Sequence, residues 1–158
     1  MRSAGFVLLC IAGVLAAMLP AQTGKTIIIR LRDGKTGQSL DPSNVHVRFN
    51  HQPESGGQWV DQKGDGTIEV RLPEGSKVIA VRATYANSLE YYVNCDVAKQ
   101  RDTDGQTWYP VDDILNSGIS APNDCVRAKE AEKVKVEAKP GEFVLYLRKR
   151  NFKEQVVE

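Results

Sequence analysis

The chain has 158 residues, 21 basic and 20 acidic side chains, a formal net charge of +1 and 41% apolar residues. That balance excludes a disordered polyelectrolyte and provides no global field to steer nucleic acid or an anionic membrane. The length allows one domain with a sizeable core.

The first residues read as an export signal. Arg2 precedes FVLLCIAGVLAAML, an apolar run short for a bilayer span, and Pro20-Ala21 interrupt it. Cleavage is expected after Ala21, making residues 1–21 a signal peptide and the mature chain secreted, to the periplasm or outside the cell. Cys10 and Arg2 leave with it, so the mature chain keeps 20 basic against 20 acidic residues. No second apolar run follows, so no membrane span is expected after cleavage. Arg148, Lys149, Arg150 and Lys153 form the densest basic group. They read as a solvated strand end, not a nucleic-acid patch.

Period-two patterning then dominates. TIIIRLR places Ile27, Ile29 and Leu31 on one face. VHVRF sets Val45, Val47 and Phe49 against His46 and Arg48. TIEVRL aligns Ile68, Val70 and Leu72, and KVIAVRATY aligns Ile79, Val81 and Ala83. LEYYVNC groups Leu89, Tyr91, Val93 and Cys95, which points the Cys95 sulfur toward the core. KVKVEA and EFVLYLR read as two further strands. The turn formers DGKTG, PESGG, KGDG, LPEG, YANS and KPGE bound these runs.

The stretch from Cys95 to Cys125 breaks the pattern. In an oxidising compartment its two cysteines are expected to pair. Closing so long a loop is worth roughly 3–4 kcal/mol in chain entropy. Within it, PVDDILNSG reads as a short helix. Pro110 opens it, Asp112 and Asp113 suit its first turn, and Gly118 ends it. Ile114 and Leu115 would dock it on a sheet. The expected fold is all-β, a Greek-key β-sandwich of seven to eight strands with one short helix in a disulfide-bridged loop. A single domain is expected over residues 22–152, with a tail over 153–158.

Two stretches carry a resemblance. DGKTGQSLDPSNVHVRF and DGTIEVRLPEGSKVIAVRATYAN together resemble a carboxypeptidase regulatory-like or transthyretin-like domain, over about residues 26 to 94. The resemblance implies a seven-stranded Greek-key sandwich serving as an accessory, structural or ligand-binding module of exported proteins. The chain departs from the family at Lys77, where an aromatic is common, and at Thr84, where glycine is common. The fold also includes hydrolases of purine-breakdown intermediates, which end in a Tyr-Arg-Gly-Ser motif. The C-terminal FVLYLRKRNFKEQ lacks that motif. Ring-opening dioxygenases need two tyrosines and two histidines around iron, and His46 and His51 do not have a recognisable spacing for it.

No catalytic residue, metal site or cofactor is expected. His46 and His51 read as surface histidines, His46 on the solvent face of its strand. Asp102 and Asp104 suggest a calcium loop, but the EF-hand register would put Gln100 at its first position and Val111 at its twelfth. Asp112 and Asp113 diverge by ~100° on a helix, so they cannot form an opposed acid–base pair.

Trp108 and Tyr109, within the bridged loop, are the candidate binding residues. Their rings could stack on a sugar, with a protein or glycan as partner. The competing reading, Trp108 as a plug beneath the loop, is preferred because large aromatics are mostly buried. The function expected is a non-enzymatic secreted accessory or binding module. A structural cell-envelope or assembly component is the alternative, and a small hydrolase or metalloenzyme comes third.

Overall fold

The computed structural model describes residues 24–40, 44–63, 67–83, 85–87, 90–96 and 106–150. The expected signal peptide over residues 1–21, the expected tail over 153–158, Leu89 and the Asp102–Asp104 run lie outside them.

Ten strands and two short helices are described. They are β1 (Thr26–Asp33), β2 (Asn44–Phe49), β3 (Gln58–Asp61), β4 (Ile68–Arg71), β5 (Val78–Arg82), β6 (Tyr85–Asn87), β7 (Glu90–Asn94), β8 (Tyr109–Pro110), α1 (Val111–Asn116), β9 (Ile119–Ser120), α2 (Ala128–Lys133) and β10 (Glu142–Lys149). One sheet runs β4-β1-β10-β7-β6, with β9 also paired to β10, and the other runs β3-β2-β5-β8. The chain is therefore all-β, with α1 inside the bridged loop. The strand count exceeds the expected seven to eight because β3, β6 (read as part of the turn YANS) and the two-residue β8 and β9 carry too little pattern to stand out. No described helix is long and apolar enough to cross a membrane.

Alternation builds the core. Ile27, Ile29, Leu31, Ile68 and Val70 of one sheet join Val45, Val47, Phe49, Ile79 and Val81 of the other in a single buried cluster, which also takes Ile114 from α1. Each such side chain contributes roughly 1.5–3 kcal/mol on leaving water. The parallel pairing of β1 with β10 places both strands centrally, from Ile28 opposite Glu142 to Asp33 opposite Leu147.

β10 is buried on both faces, so its apolar run is continuous rather than alternating. Phe143, Leu145 and Leu147 face the main core. Val144 and Tyr146 face outward, where they form a second cluster with Cys95 under Cys125, Val136 and Ala138.

That cluster corrects two expectations. Tyr92 belongs to the main core and Cys95 to the outer cluster, so the Cys95 sulfur lies on the far side of the sheet from the core. KVKVEA is not a strand. Ala128–Lys133 is a helix of good helix formers, and the chain then runs irregularly across the outer face of β10. The alternation of Val134, Val136 and Ala138 is used all the same, because these residues are half-buried while Lys135 and Glu137 are exposed. The backbone there bonds to side chains instead of a ladder. Val136 N–H donates to Tyr146 Oη at 2.6 Å, and Ser120 Oγ donates to the Val136 carbonyl.

The expected disulfide is present between Cys95 and Cys125, 30 residues apart. Cys95 N–H donates to the Tyr146 carbonyl at 2.8 Å, and Asp124 N–H to the Cys95 carbonyl at 2.9 Å. The bridge thus clamps the covering segment onto β10.

Candidate functional site

The outer face of the sheet β3-β2-β5-β8 carries an unusual set of side chains. Strand alternation puts His46 and Arg48 there, opposite Val45, Val47 and Phe49. They were expected in solvent, yet His46 is 6% and Arg48 2% exposed. The reason is the segment after β2, which folds back over them. Asn50 and His51 take left-handed conformations, φ 50° and 57°, and Gln52 N–H donates to the Phe49 carbonyl at 2.9 Å. Asn50 anchors the bend, its amide donating to the Gly75 carbonyl at 3.1 Å and its Oδ1 accepting from Lys77 N–H at 2.7 Å. A 3₁₀ turn over Glu54–Gly56 follows, and Arg48 Nη1 donates to the Gln52 carbonyl at 3.0 Å.

Rings and cations then stack across the strands. His46 pairs with Trp59 on β3 and with Arg82 on β5. The His46 and Trp59 rings lie 4.8 Å apart. Ile79 pairs with Tyr109, which brings Trp108 level with Ala80 in the row of Arg48. The Arg48 guanidinium sits 5.2 Å from the Trp108 ring centre, a cation–π contact. His51 packs on Trp108 at 4.5 Å. Trp59 and Trp108 thus flank the face, their backbones roughly 16 Å apart by strand spacing. Trp108 is half-buried, whereas Trp59 is 52% exposed.

The charges on this face are shared. Glu54 Oε1 accepts from Arg82 and lies 3.9 Å from His46 Nδ1. Burial holds the His46 pKa below its ordinary value; Glu54 opposes this, and Arg82 and Arg48 reinforce it. His46 is therefore neutral near neutral pH.

Trp108 and Tyr109, adjacent in sequence, part company. Tyr109 points into the core, 7% exposed and 4.7 Å from the Phe143 ring. Its hydroxyl donates to Asp96 Oδ2 at 2.7 Å. Burial raises the Asp96 pKa, against the hydrogen bonds from Tyr109 and Asn94. Burial also raises the Tyr109 pKa, assisted by the Asp96 charge. This pair ties the start of the bridged loop to its aromatic segment. Of the two, only Trp108 reaches the outer face.

The two histidines do not converge either, since His46 packs on Trp59 and His51 on Trp108. No group of three or more His, Cys, Asp or Glu side chains gathers among the described residues. Asp112 and Asp113 are exposed in the first turn of α1. Sequence reasoning missed Trp59. Its one signal was the alternation of Gln58-Trp59-Val60-Asp61 directly after PESGG, which a four-residue strand scarcely displays.

An open groove of about 880 Å³ lies elsewhere, between β3, β4 and α1. Val60, Leu72, Val111 and Leu115 line it, with Arg71 and Glu69 of opposite charge beside them. Comparison of the chain with protein-family models, curated proteins and solved structures finds no match.

Proposed function

We propose that the chain is an exported, non-enzymatic binding module that holds a carbohydrate on the outer face of the sheet β3-β2-β5-β8. One observation carries this reading. Trp59 stands exposed at 52% on an edge strand, backed by His46 and beside the Arg82–Glu54 pair. An indole face takes up the apolar face of a sugar ring, while a guanidinium and a carboxylate bond its hydroxyls. Trp108 supplies a second ring at the other end of the face.

Other features support the reading. A disulfide suits an oxidising compartment, and residues 1–21 have the layout of an export signal. The resemblance of residues 26 to 94 to carboxypeptidase regulatory-like domains agrees with an accessory module. His46 is enclosed by Gly57 and Trp59, a poor position for taking a proton from a substrate. A structural role through strand addition is less favoured, because the edge strand β4 carries Glu69, paired with Lys63 from the segment after β3.

The test is a glycan array probed with wild type, Trp59→Ala and Trp108→Ala. At least one glycan should be retained by wild type. Trp59→Ala should weaken it by about 2 kcal/mol, roughly thirtyfold, as expected for a stacked tryptophan anchor. An array without a hit, or a hit held equally by both variants, would sink the reading.

A further inference from the structure

His46 is the buried imidazole of this face, distinct from the exposed His51 that packs on Trp108, and its surroundings leave a proton little accommodation. Its imidazole is 6% exposed. Trp59 covers one side at 4.8 Å. Gly57 closes another so tightly that a Cβ there would lie 2.4 Å from His46 Cε1 and Nε2. The charged groups facing it are Glu54 from the turn, Arg82 from β5 and Arg48 from its own strand. On β3 the facing residue is Trp59, and Asp61, two residues on, lies opposite Asn44. Among the described residues the carboxylate at the imidazole is that of Glu54, and it already accepts from Arg82. A proton on His46 therefore adds a third cation, beside Arg82 and Arg48, to a buried ring whose described carboxylate neighbour is Glu54.

The turn above it is exposed. The Glu54–Gly56 turn buries none of its residues. Asn50 and His51, which lead into it, both hold positive φ, an uncommon conformation for residues other than glycine. We propose that His46 is an acid-operated latch: protonation drives its imidazole from under Trp59, lifts the segment over residues 50–57 and dismantles the ring-and-cation face. That the latch controls ligand binding rests on the function proposed above; the latch itself belongs to the free protein. The sign agrees with its environment, since burial disfavours the charged imidazole and opening restores its water.

The test needs no ligand. The chain has two tryptophans, so Trp108→Phe leaves Trp59 as the sole indole. Fluorescence of that variant, read from pH 8 to 4.5, should shift to the red with a midpoint below 6.5, the ordinary imidazole value. Hydrogen exchange over residues 50–57 should accelerate with the same midpoint. Adding His46→Asn should abolish the shift. A flat titration, or a shift that survives His46→Asn, would overturn the latch. If the double variant does not fold, NMR of wild type decides. One shared midpoint for the His46 ring and for exchange over 50–57 supports the latch, and separate midpoints overturn it. For any glycan found, affinity should fall between pH 7.5 and 5, by at most about tenfold for each unit separating the closed and open His46 pKa values. Flat affinity overturns the regulation. An array without hits sinks the binding reading while leaving the titration to stand.

Discussion

Gly57 holds the space that the His46 imidazole fills: a Cβ on Gly57 would also lie 2.7 Å from Arg48 Cγ. Glycine is required here by close approach, because its φ of −78° is open to any residue. Gly57→Ala should therefore push His46 or the turn outward, at about 1–3 kcal/mol, as overpacking of a filled site costs. A thermal melt measures the loss. An unchanged melting temperature would show that the ring has room to retreat.

Reduction of Cys95–Cys125 should cost about 3–4 kcal/mol, because the bridge closes a 30-residue step. For a domain of this size that is roughly 10–20 °C in melting temperature. The bridge also clamps Cys125, Val136 and Ala138 over Val144 and Tyr146. Reduced protein should thus lose exchange protection at Val136 N–H before the main core opens. Simultaneous loss across both clusters would show that the cover is not a separate unit.

The Asp96–Tyr109 pair gives a pH dependence of definite sign. Burial raises the folded Asp96 pKa above its ordinary 3.8. The folded state then holds that proton at pH values where the unfolded chain has released it. Wild type accordingly loses stability as pH rises from about 4 through the folded pKa, relative to Asp96→Asn, which cannot titrate. Melts of the two proteins from pH 4 to 7.5 should converge toward the acid end. A constant difference would mean that Asp96 titrates normally. Tyr109→Phe removes the 2.7 Å hydrogen bond and should cost about 1–3 kcal/mol for leaving the carboxylate short of a donor.

Much of this fold was legible because one-sided strands announce themselves. Ile27, Ile29 and Leu31 alternate with Ile28, Arg30 and Arg32 and are buried as that pattern predicts. The failures occur where a face is covered by something other than the opposite sheet. His46 and Arg48 have the polarity of an exposed face, but the loop over residues 50–57 lies on them. In LEYYVNC apolar residues fall on both faces, so alternation alone could not decide whether Tyr91 or Tyr92 faces the core. In KVKVEA, packing on an outer sheet face produces the same period of two as a ladder. Trp108 was named as a candidate, though the preferred reading made it a plug beneath the loop, whereas Trp59 reaches the face only through a cross-strand pairing with His46 that sequence order does not show.

The closest packing at the disulfide belongs to Gly34, and it gives the last prediction. A Cβ there would lie 2.8 Å from Cys95 Sγ and 2.8 Å from Asn123 Oδ1. The backbone cannot yield, because Gly34 N–H donates to the Leu147 carbonyl at 2.8 Å and its carbonyl accepts from Asn123 Nδ2 at 2.7 Å. Neither can the sulfur, which is bonded to Cys125. Gly34→Ala should therefore destabilise the oxidised protein by about 1–3 kcal/mol. Once the bridge is reduced, the Cys95 thiol can rotate away and part of the strain is relieved. The penalty for Gly34→Ala, measured by denaturant unfolding in both redox states, should shrink on reduction. An equal penalty in the two states would place the clash at Asn123, and Asn123→Ala would then recover the loss.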